Sequence, residues 1–406
     1  MDQPRAHRSS ASGLRQTARL SAPGVAVGAA LFVALLLAQG AMGVTKDGMA
    51  YLDVAADITD GRWFTDPTYI ESSHFPPGLS LALAAISLAT GLTTTASAGL
   101  LNLVAMVGLI GGTASYLRRQ GTTLTPPLIA LAALLLGAST ALLRLNVNVL
   151  SDVPFLACAV AAALALDLER RRPGRASFAM LVAACLCAGL LRYPGVMLAL
   201  GAAAAIILWD RSGRGVGRAV ALLGLSWVPL LGWVVAVSVS GPAELRDHSP
   251  SSDLTLGEVA HSVSALGIAA LGGGYEVVGT LYGPLDVPFR LAGAALGVVI
   301  LGLIGAWSVL GVRDLLRHGR AAGSSSALAI VVVLYVGFVA LTRFVQGYSV
   351  LDRYWLPVLV LGLLGLLGFN WVTTPRNRRL LSALLIGLAG ANFLRSALLV
   401  VDRLVD

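Results

Sequence analysis

The chain has 406 residues, of which 56% are hydrophobic and only 12% charged, with a mean hydropathy of +0.80. Soluble domains carry about 25% charged residues, so this composition excludes a soluble globular protein and points to an integral membrane protein. The formal net charge of +8 is almost all arginine, with Lys46 the only lysine among 29 basic residues. It is concentrated in alternate short loops, which bears on membrane orientation rather than on nucleic-acid binding.

The N-terminal tail, 1–23, is basic, with Arg5, Arg8, Arg15 and Arg19. It leads into an apolar run at 24–44 that is longer than a signal-peptide core and lacks a clear cleavage site. This pattern predicts a retained first helix with a cytoplasmic N-terminus, so residues 45–95 lie outside. Span two (96–117) returns to Arg118 and Arg119, span three (125–143) exits to RLNVNVLSDVP, and span four (153–168) re-enters to ERRRPGR. Span five (176–191) exits at RYPG and span six (194–209) returns to DRSGRGVGR. Span seven (219–240) exits to the longest later loop, 241–284, which carries Glu244, Asp247, Asp253, Glu258 and Glu276. Span eight (286–312) reaches RDLLRHGR, span nine (326–342) exits to RFVQGYSVLDRYW, span ten (356–371) returns to TPRNRR, and span eleven (380–401) ends outside.

One apolar stretch, 77–94, is left over. Were it to cross, every later arginine cluster would move outside, against the positive-inside bias. Pro76 and Pro77 suit the start of a helix and Gly91 its stop, so the stretch reads as an interfacial or re-entrant helix. The expected architecture is a single all-α domain over 1–406. It is a polytopic membrane helical bundle of about eleven transmembrane helices, with interfacial juxtamembrane helices in the first outer loop.

That loop opens with KDGMAYLDVAADITDGRWF. Asp47 stands immediately after the first span, where its carboxylate can cap the helix that follows or act as a general base on a hydroxyl or amine arriving from water. Along that helix Asp53, Asp57 and Asp60 share a solvated face, while Leu52, Ala55, Ala56 and Ile58 can face the membrane. Asp152, in LSDVP at the outer mouth of span four, is a second acidic candidate, or again an N-cap with Pro154 in the first turn.

Five arginines break the orientation bias: Arg62, Arg144, Arg192, Arg343 and Arg353 lie at outer helix ends or in outer loops. Each can snorkel to the interface, but five on one face opposite several carboxylates suit an anionic group such as a phosphate, gripped by guanidinium forks. His74, in HFPPG, can add a donor. Trp63, Phe64, Tyr69, Phe75, Tyr193, Tyr348, Tyr354 and Trp355 interleave with these charges as an interfacial aromatic belt whose rings also suit stacking on a sugar. Tyr51, Tyr193 and Tyr354 are the candidates for that contact. Cys158, Cys185 and Cys187 all fall inside apolar spans and provide no disulfide or metal framework. The sequence contains no phosphate-cradling glycine loop, HExxH or GxSxG.

The segments DGMAYLDVA, HFPPGLSLALA, SDVPF, RYPG and DRYWLP, in this order and with a non-crossing helix among them, resemble the polytopic C-type (GT-C) glycosyltransferases. That class includes protein O-mannosyltransferases and bacterial lipid A aminoarabinose transferases. The resemblance implies a multi-pass enzyme of the cell membrane, with its active site on the outer face. It would move a sugar from a polyprenyl-phosphate donor to a glycan, lipid or protein acceptor, with inversion. Asp47 would be the base, Asp152 a second acidic residue of the site, and His74 and Arg353, with Arg192 and Arg144, contacts for the donor phosphate. Asp47 is followed by Gly48 where the family often has a second acidic residue, so a divalent metal is possible but not obligatory. No large soluble outer domain follows the last span, which favours a small or lipid-linked acceptor or one held by 241–284. The alternative is a transporter or lipid flippase, whose ionisable residues and main cavity belong near the bilayer midplane. Here they crowd the helix ends, with Arg290 and Arg395 the main exceptions.

Overall fold

The computed structural model describes residues 5–62, 75–120, 124–240, 286–346, 352–369 and 374–405. A helix stands at every stretch read as a span. These are α1 (Arg5–Gln39), α4 (Thr94–Arg119), the bent pair α5 (Pro126–Ala138) and α6 (Thr140–Asn146), α7 (Asp152–Arg171), α8 (Arg175–Leu191) and α9 (Val196–Trp209). They continue with α10 (Gly213–Ser240), α11 (Asp286–His318), α12 (Ser324–Gln346), α13 (Asp352–Gly368) and α14 (Pro375–Val405). Two further helices, α2 (Lys46–Thr59) and α3 (Gly78–Thr90), occupy the first long loop. Among the described residues, six helices are long and apolar enough to cross a bilayer and the α5–α6 pair makes a seventh, against the eleven spans expected; α8, α9 and α13 are shorter apolar helices. Large apolar side chains such as Val104, Val228, Val309 and Leu394 are exposed all around the bundle, as lipid requires. The protein is a multi-pass, all-helical membrane protein.

Most helix ends shift by a few residues from expectation, and two departures are larger. The first helix begins at Arg5 rather than at residue 24, so the basic tail is itself helical, and it ends at Gln39 with Gly40 at φ 74°. Span three is broken at Ser139, whose extended backbone bends α5 against α6 by 49°, and its hydroxyl caps α6 by accepting from Leu142 N–H.

Hydrogen bonds and packing fix which helix ends lie together. Arg171 donates to the Arg119 carbonyl, Arg170 to the carbonyls of Arg320 and Ala322, and Arg218 pairs with Glu169. Gly13 lies against the Arg118 guanidinium and Gly368 against Gln120. The arginine-bearing turns after α4, α7, α9 and α11 thus form one end of the bundle.

Both ends of α3 lie at the opposite end. At its start Ser80 donates to the Tyr51 carbonyl and Gly78 packs on Leu190, the last turn of α8. At its finish Gly91, at φ 72°, turns the chain directly into α4, which is capped by Thr93. At 13 residues α3 is about 20 Å long, short of a hydrocarbon core of about 30 Å. It is a juxtamembrane helix that leaves and returns on one side.

Candidate functional site

The site is built at the end of the bundle away from the arginine-bearing turns, where α2, α3, α7, α8 and α13 converge. Its first fastening is a short parallel bridge. Gly43 N–H donates to the Val147 carbonyl and Val149 N–H to the Gly43 carbonyl. Asn102, fully buried in α4, holds the same segment by donating to the carbonyls of Asn146 and Asn148. The chain leaving α1 is thereby pinned to the chain leaving α6.

The second fastening lies at Gly48. Gly48 is buried, and a Cβ there would stand 2.8 Å from the Val149 carbonyl oxygen. Position 48 has no room for a second carboxylate beside Asp47 because the amino end of α2 sits directly on the 147–149 backbone. Gly78 does the same for HFPPG: a Cβ there would come within 2.5 Å of the Leu190 carbonyl oxygen.

Asp47 is half-exposed in the first turn of α2. The capping role belongs to Thr45, whose hydroxyl accepts from Gly48 N–H at 3.0 Å, so the reading of Asp47 as the cap is corrected. The buried stripe of α2 is Gly48, Tyr51, Val54, Ala55 and Ile58, at helical spacing. Of the residues expected to face the membrane, Leu52 and Ala56 are only half-buried, whereas Ala55 and Ile58 belong to the stripe.

Arg62 turns back on its own helix, 2.9 Å from both Asp57 and Asp60. Those two aspartates and Arg62 are a local exposed cluster, and Arg62 leaves the set of anion-binding candidates.

Asp152 and Arg192 form the centre. Asp152 is 3% exposed in the first turn of α7; Ser151 holds the N-cap position, so the capping alternative for Asp152 falls too. The Asp152 carboxylate pairs directly with Arg192, the residue that ends α8, and the Arg192 guanidinium lies 5.1 Å from the centre of the Tyr354 ring in α13. The second carboxylate oxygen, Oδ2, accepts no hydrogen bond among the described residues. Asp152 and Arg192, separate candidates by sequence, are one unit in the structure. Half-buried Tyr193 follows beside the Trp233 indole, and burial raises its phenol above the usual range.

Tyr51 ties α2 and α3 to this centre. Its hydroxyl is 3.3 Å from the Ser151 hydroxyl, and its ring packs 5.0 Å from Phe75. A narrow cleft runs between Tyr51, Phe75, Pro77, Ser80 and Trp233. Tyr51 is thus buried against protein, while Tyr193 and Tyr354 keep part of their rings accessible. Arg144 is half-buried in α6, on the edge of the same end.

His74, Trp63, Phe64, Tyr69, Tyr348, the loop 241–284 and the side chains of Arg290, Arg343 and Arg353 lie outside the described residues; Arg353 itself is the second residue of α13. Sequence reasoning missed Ser80, Trp233 and Tyr335. Tyr335 is buried in α12, ring-stacked at 6.4 Å with Phe155 and within electrostatic reach of Arg192 and Tyr354. A tyrosine in mid-span was the available signal.

A divalent ion fits the described donors poorly. Asp152 is committed to Arg192, Asp57 and Asp60 to Arg62, and position 48 is closed; no group of three metal-type ligands occurs among the described residues. A cavity of about 290 Å3 opens among the arginine-bearing turns, away from this end.

No protein-family model matches the chain, and no curated protein matches it. Among solved structures it is similar to the oligosaccharyltransferase of Archaeoglobus fulgidus crystallised with Zn and sulfate. There the TM-score is 0.49 at 15% identity, covering 92% of this chain and 53% of that one. It is also similar to the same organism's AglB in complex with an inhibitory peptide and a dolichol-phosphate, with TM-score 0.49 and 10% identity over 94% and 56% of the two chains. A third is ArnT from Cupriavidus metallidurans bound to undecaprenyl phosphate, with TM-score 0.44 and 18% identity over 91% and 77%. The chain spans about half the length of the archaeal proteins. At such identities the role of each side chain has to be argued from this chain's own geometry.

Proposed function

We propose that the chain is a membrane glycosyltransferase that moves a sugar from a polyprenyl-phosphate donor to an acceptor at the outer membrane face. The observation that carries this reading is the buried Asp152–Arg192 pair under Tyr354, fastened through Ser151 and Tyr51 to the helix that bears Asp47. A carboxylate open to water and a guanidinium held at membrane depth are the two groups such a transfer needs, and they occupy one end of the bundle.

A polyprenyl-phosphate sugar keeps its chain in the bilayer and its phosphate at the interface. As the bond between the sugar carbon and the phosphate oxygen breaks, negative charge grows on the departing lipid phosphate, and a preorganised cation there lowers the barrier. Arg192 presents five N–H donors, of which the Asp152 contact uses only part; Arg353, at the amino end of α13, is the second cation in this reading, with His74 and Arg144 as further donors. The acceptor oxygen or nitrogen attacks from the water side and gives its proton to the Asp47 carboxylate. One base and a leaving phosphate in line with it imply inversion at the sugar carbon. Asp152 touches neither reactant in this scheme. It is a positioning residue that holds Arg192 in place, and Tyr354 and Tyr193 border the sugar.

The orientation follows the positive-inside bias, with the arginine-bearing turns in the cytoplasm and the site outside. The test is a turnover assay of the purified protein with a panel of polyprenyl-phosphate sugars. Release of free polyprenyl phosphate coupled to acceptor glycosylation is the expected result; a panel with no turnover, alongside donor flipping in vesicles, would establish a carrier instead.

A further inference from the structure

A cavity of about 290 Å3 opens at the arginine-bearing end between α11, α12 and α13. The glycosyl-transfer site makes no use of it. One wall is the last turns of α11, with Arg313, Asp314, Arg317 and His318; another is the amino end of α12, with Ser325 and Ser326; Leu310 and Phe369 supply an apolar side.

The charges in this cavity are unevenly satisfied. Asp314 is used from both oxygens, by His318 Nδ1 at 2.8 Å and by the Ser326 hydroxyl at 2.6 Å. Arg313 and Arg317, four residues apart on one face of α11, make no ion pair among the described residues. Three other arginines at this end are spent on fastening: Arg170 and Arg171 on Asp167, Arg218 on Glu169. Two like charges at this spacing oppose helix stability slightly; the orientation bias accounts for arginines at this end but not for two of them lining one cavity. An anion between them would relieve the repulsion, and the amino end of α12 adds the favourable end of a helix dipole.

We propose that this cavity binds a phosphate group, held by the Arg313 and Arg317 guanidinium forks beside the amino end of α12. Two sources offer that chemistry, a phospholipid headgroup and a soluble phosphate ester. The apolar side formed by Leu310 and Phe369 suits the glycerol and first acyl carbons of a lipid, and the volume exceeds what a bare phosphate needs.

The experiment uses the full chain in phosphatidylcholine nanodiscs and reads binding, independent of turnover. One arm measures enrichment of phosphatidylglycerol around the protein; the other titrates glycerol 3-phosphate by calorimetry. The variant Arg313→Gln with Arg317→Gln is compared with Arg376→Gln with Arg379→Gln, which removes the same charge from exposed positions outside the cavity lining. At least about tenfold weaker binding in the cavity variant, against less than about twofold in the control, is expected. Enrichment of the lipid alone assigns the site to a headgroup; saturable binding of the soluble ester assigns it to a metabolite. Equal losses in both variants, or no binding in either arm, would overturn the proposal. Should the glutamine pair fail to fold, Arg313→Lys with Arg317→Lys keeps the charge but loses the fork, and must bind more weakly than the native protein.

Discussion

The two ends of the bundle use buried carboxylates differently. At the arginine-bearing end Glu169 is satisfied from every side: Arg218 on one oxygen, the Ser177 hydroxyl and Gly174 N–H on the other. Asp167 gathers Arg171, Arg170 and Ser324 on one oxygen, although its Oδ2 is left over. These contacts join α7 to its neighbours α8, α10 and α12. At the opposite end Asp152 has, among the described residues, one cation, shared with an aromatic face, and an oxygen without a hydrogen bond. A saturated carboxylate is a fastener, whereas one that engages only part of an arginine's fork leaves that arginine with donors for a ligand.

The comparison breaks most visibly at Asp167. Asp167→Ala removes the carboxylate that Arg170, Arg171 and Ser324 share; both arginines keep carbonyl partners, so the cost should be roughly 1–3 kcal/mol, a Tm lower by a few degrees, with turnover per folded molecule unchanged. A loss of turnover greater than the loss of folded protein would make that end part of the site. Arg192→Lys sharpens the other side. The Asp152 charge stays partnered, so stability should fall by only about 1 kcal/mol, while donor use drops about ten- to a hundredfold because the planar fork is gone. Donor kinetics and melting on one preparation separate the two effects.

Gly48→Ala tests the docking of α2. Its Cβ meets the Val149 carbonyl oxygen, so the amino end of α2 must lift by a few tenths of an ångström or more. About tenfold slower turnover with about 1 kcal/mol of lost stability is expected, since misplacing a catalytic group costs rate more than it costs folding. Retained turnover would show that the position of Asp47 does not matter. The smallest effect belongs to Tyr51→Phe, which removes the hydroxyl that lies 3.3 Å from Ser151. A two- to threefold change, about 0.5–1 kcal/mol, is the expectation for one hydroxyl contact.

The helices were legible because a bilayer demands about 20 apolar residues at a time, and the non-crossing α3 was legible from arginine bookkeeping alone. The break at Ser139 was not, because a serine within an apolar run does not announce whether it caps a new helix. The site was legible as a set of residue types and not as a set of pairs. Asp152 and Arg192 stand 40 positions apart in the chain, and only the packing of α7 on α8 makes them one unit. Thr45 and Ser151 displaced Asp47 and Asp152 as caps by one or two positions, the usual uncertainty of a helix end. Arg62 seemed exceptional by topology, but Asp57 and Asp60 on its own helix had already accounted for it. The absence of an acid at position 48 became intelligible only with the Val149 carbonyl in view.

The central claim is that Asp47 removes the proton from the acceptor, and Asp47→Asn tests it most directly. Asparagine keeps the shape of the side chain and leaves the Thr45 cap in place, so the protein should fold and melt as before. With a polyprenyl-phosphate sugar that the native protein uses, turnover should fall about a hundredfold or more while donor affinity holds. Undiminished turnover in a correctly folded Asp47→Asn protein would contradict the account.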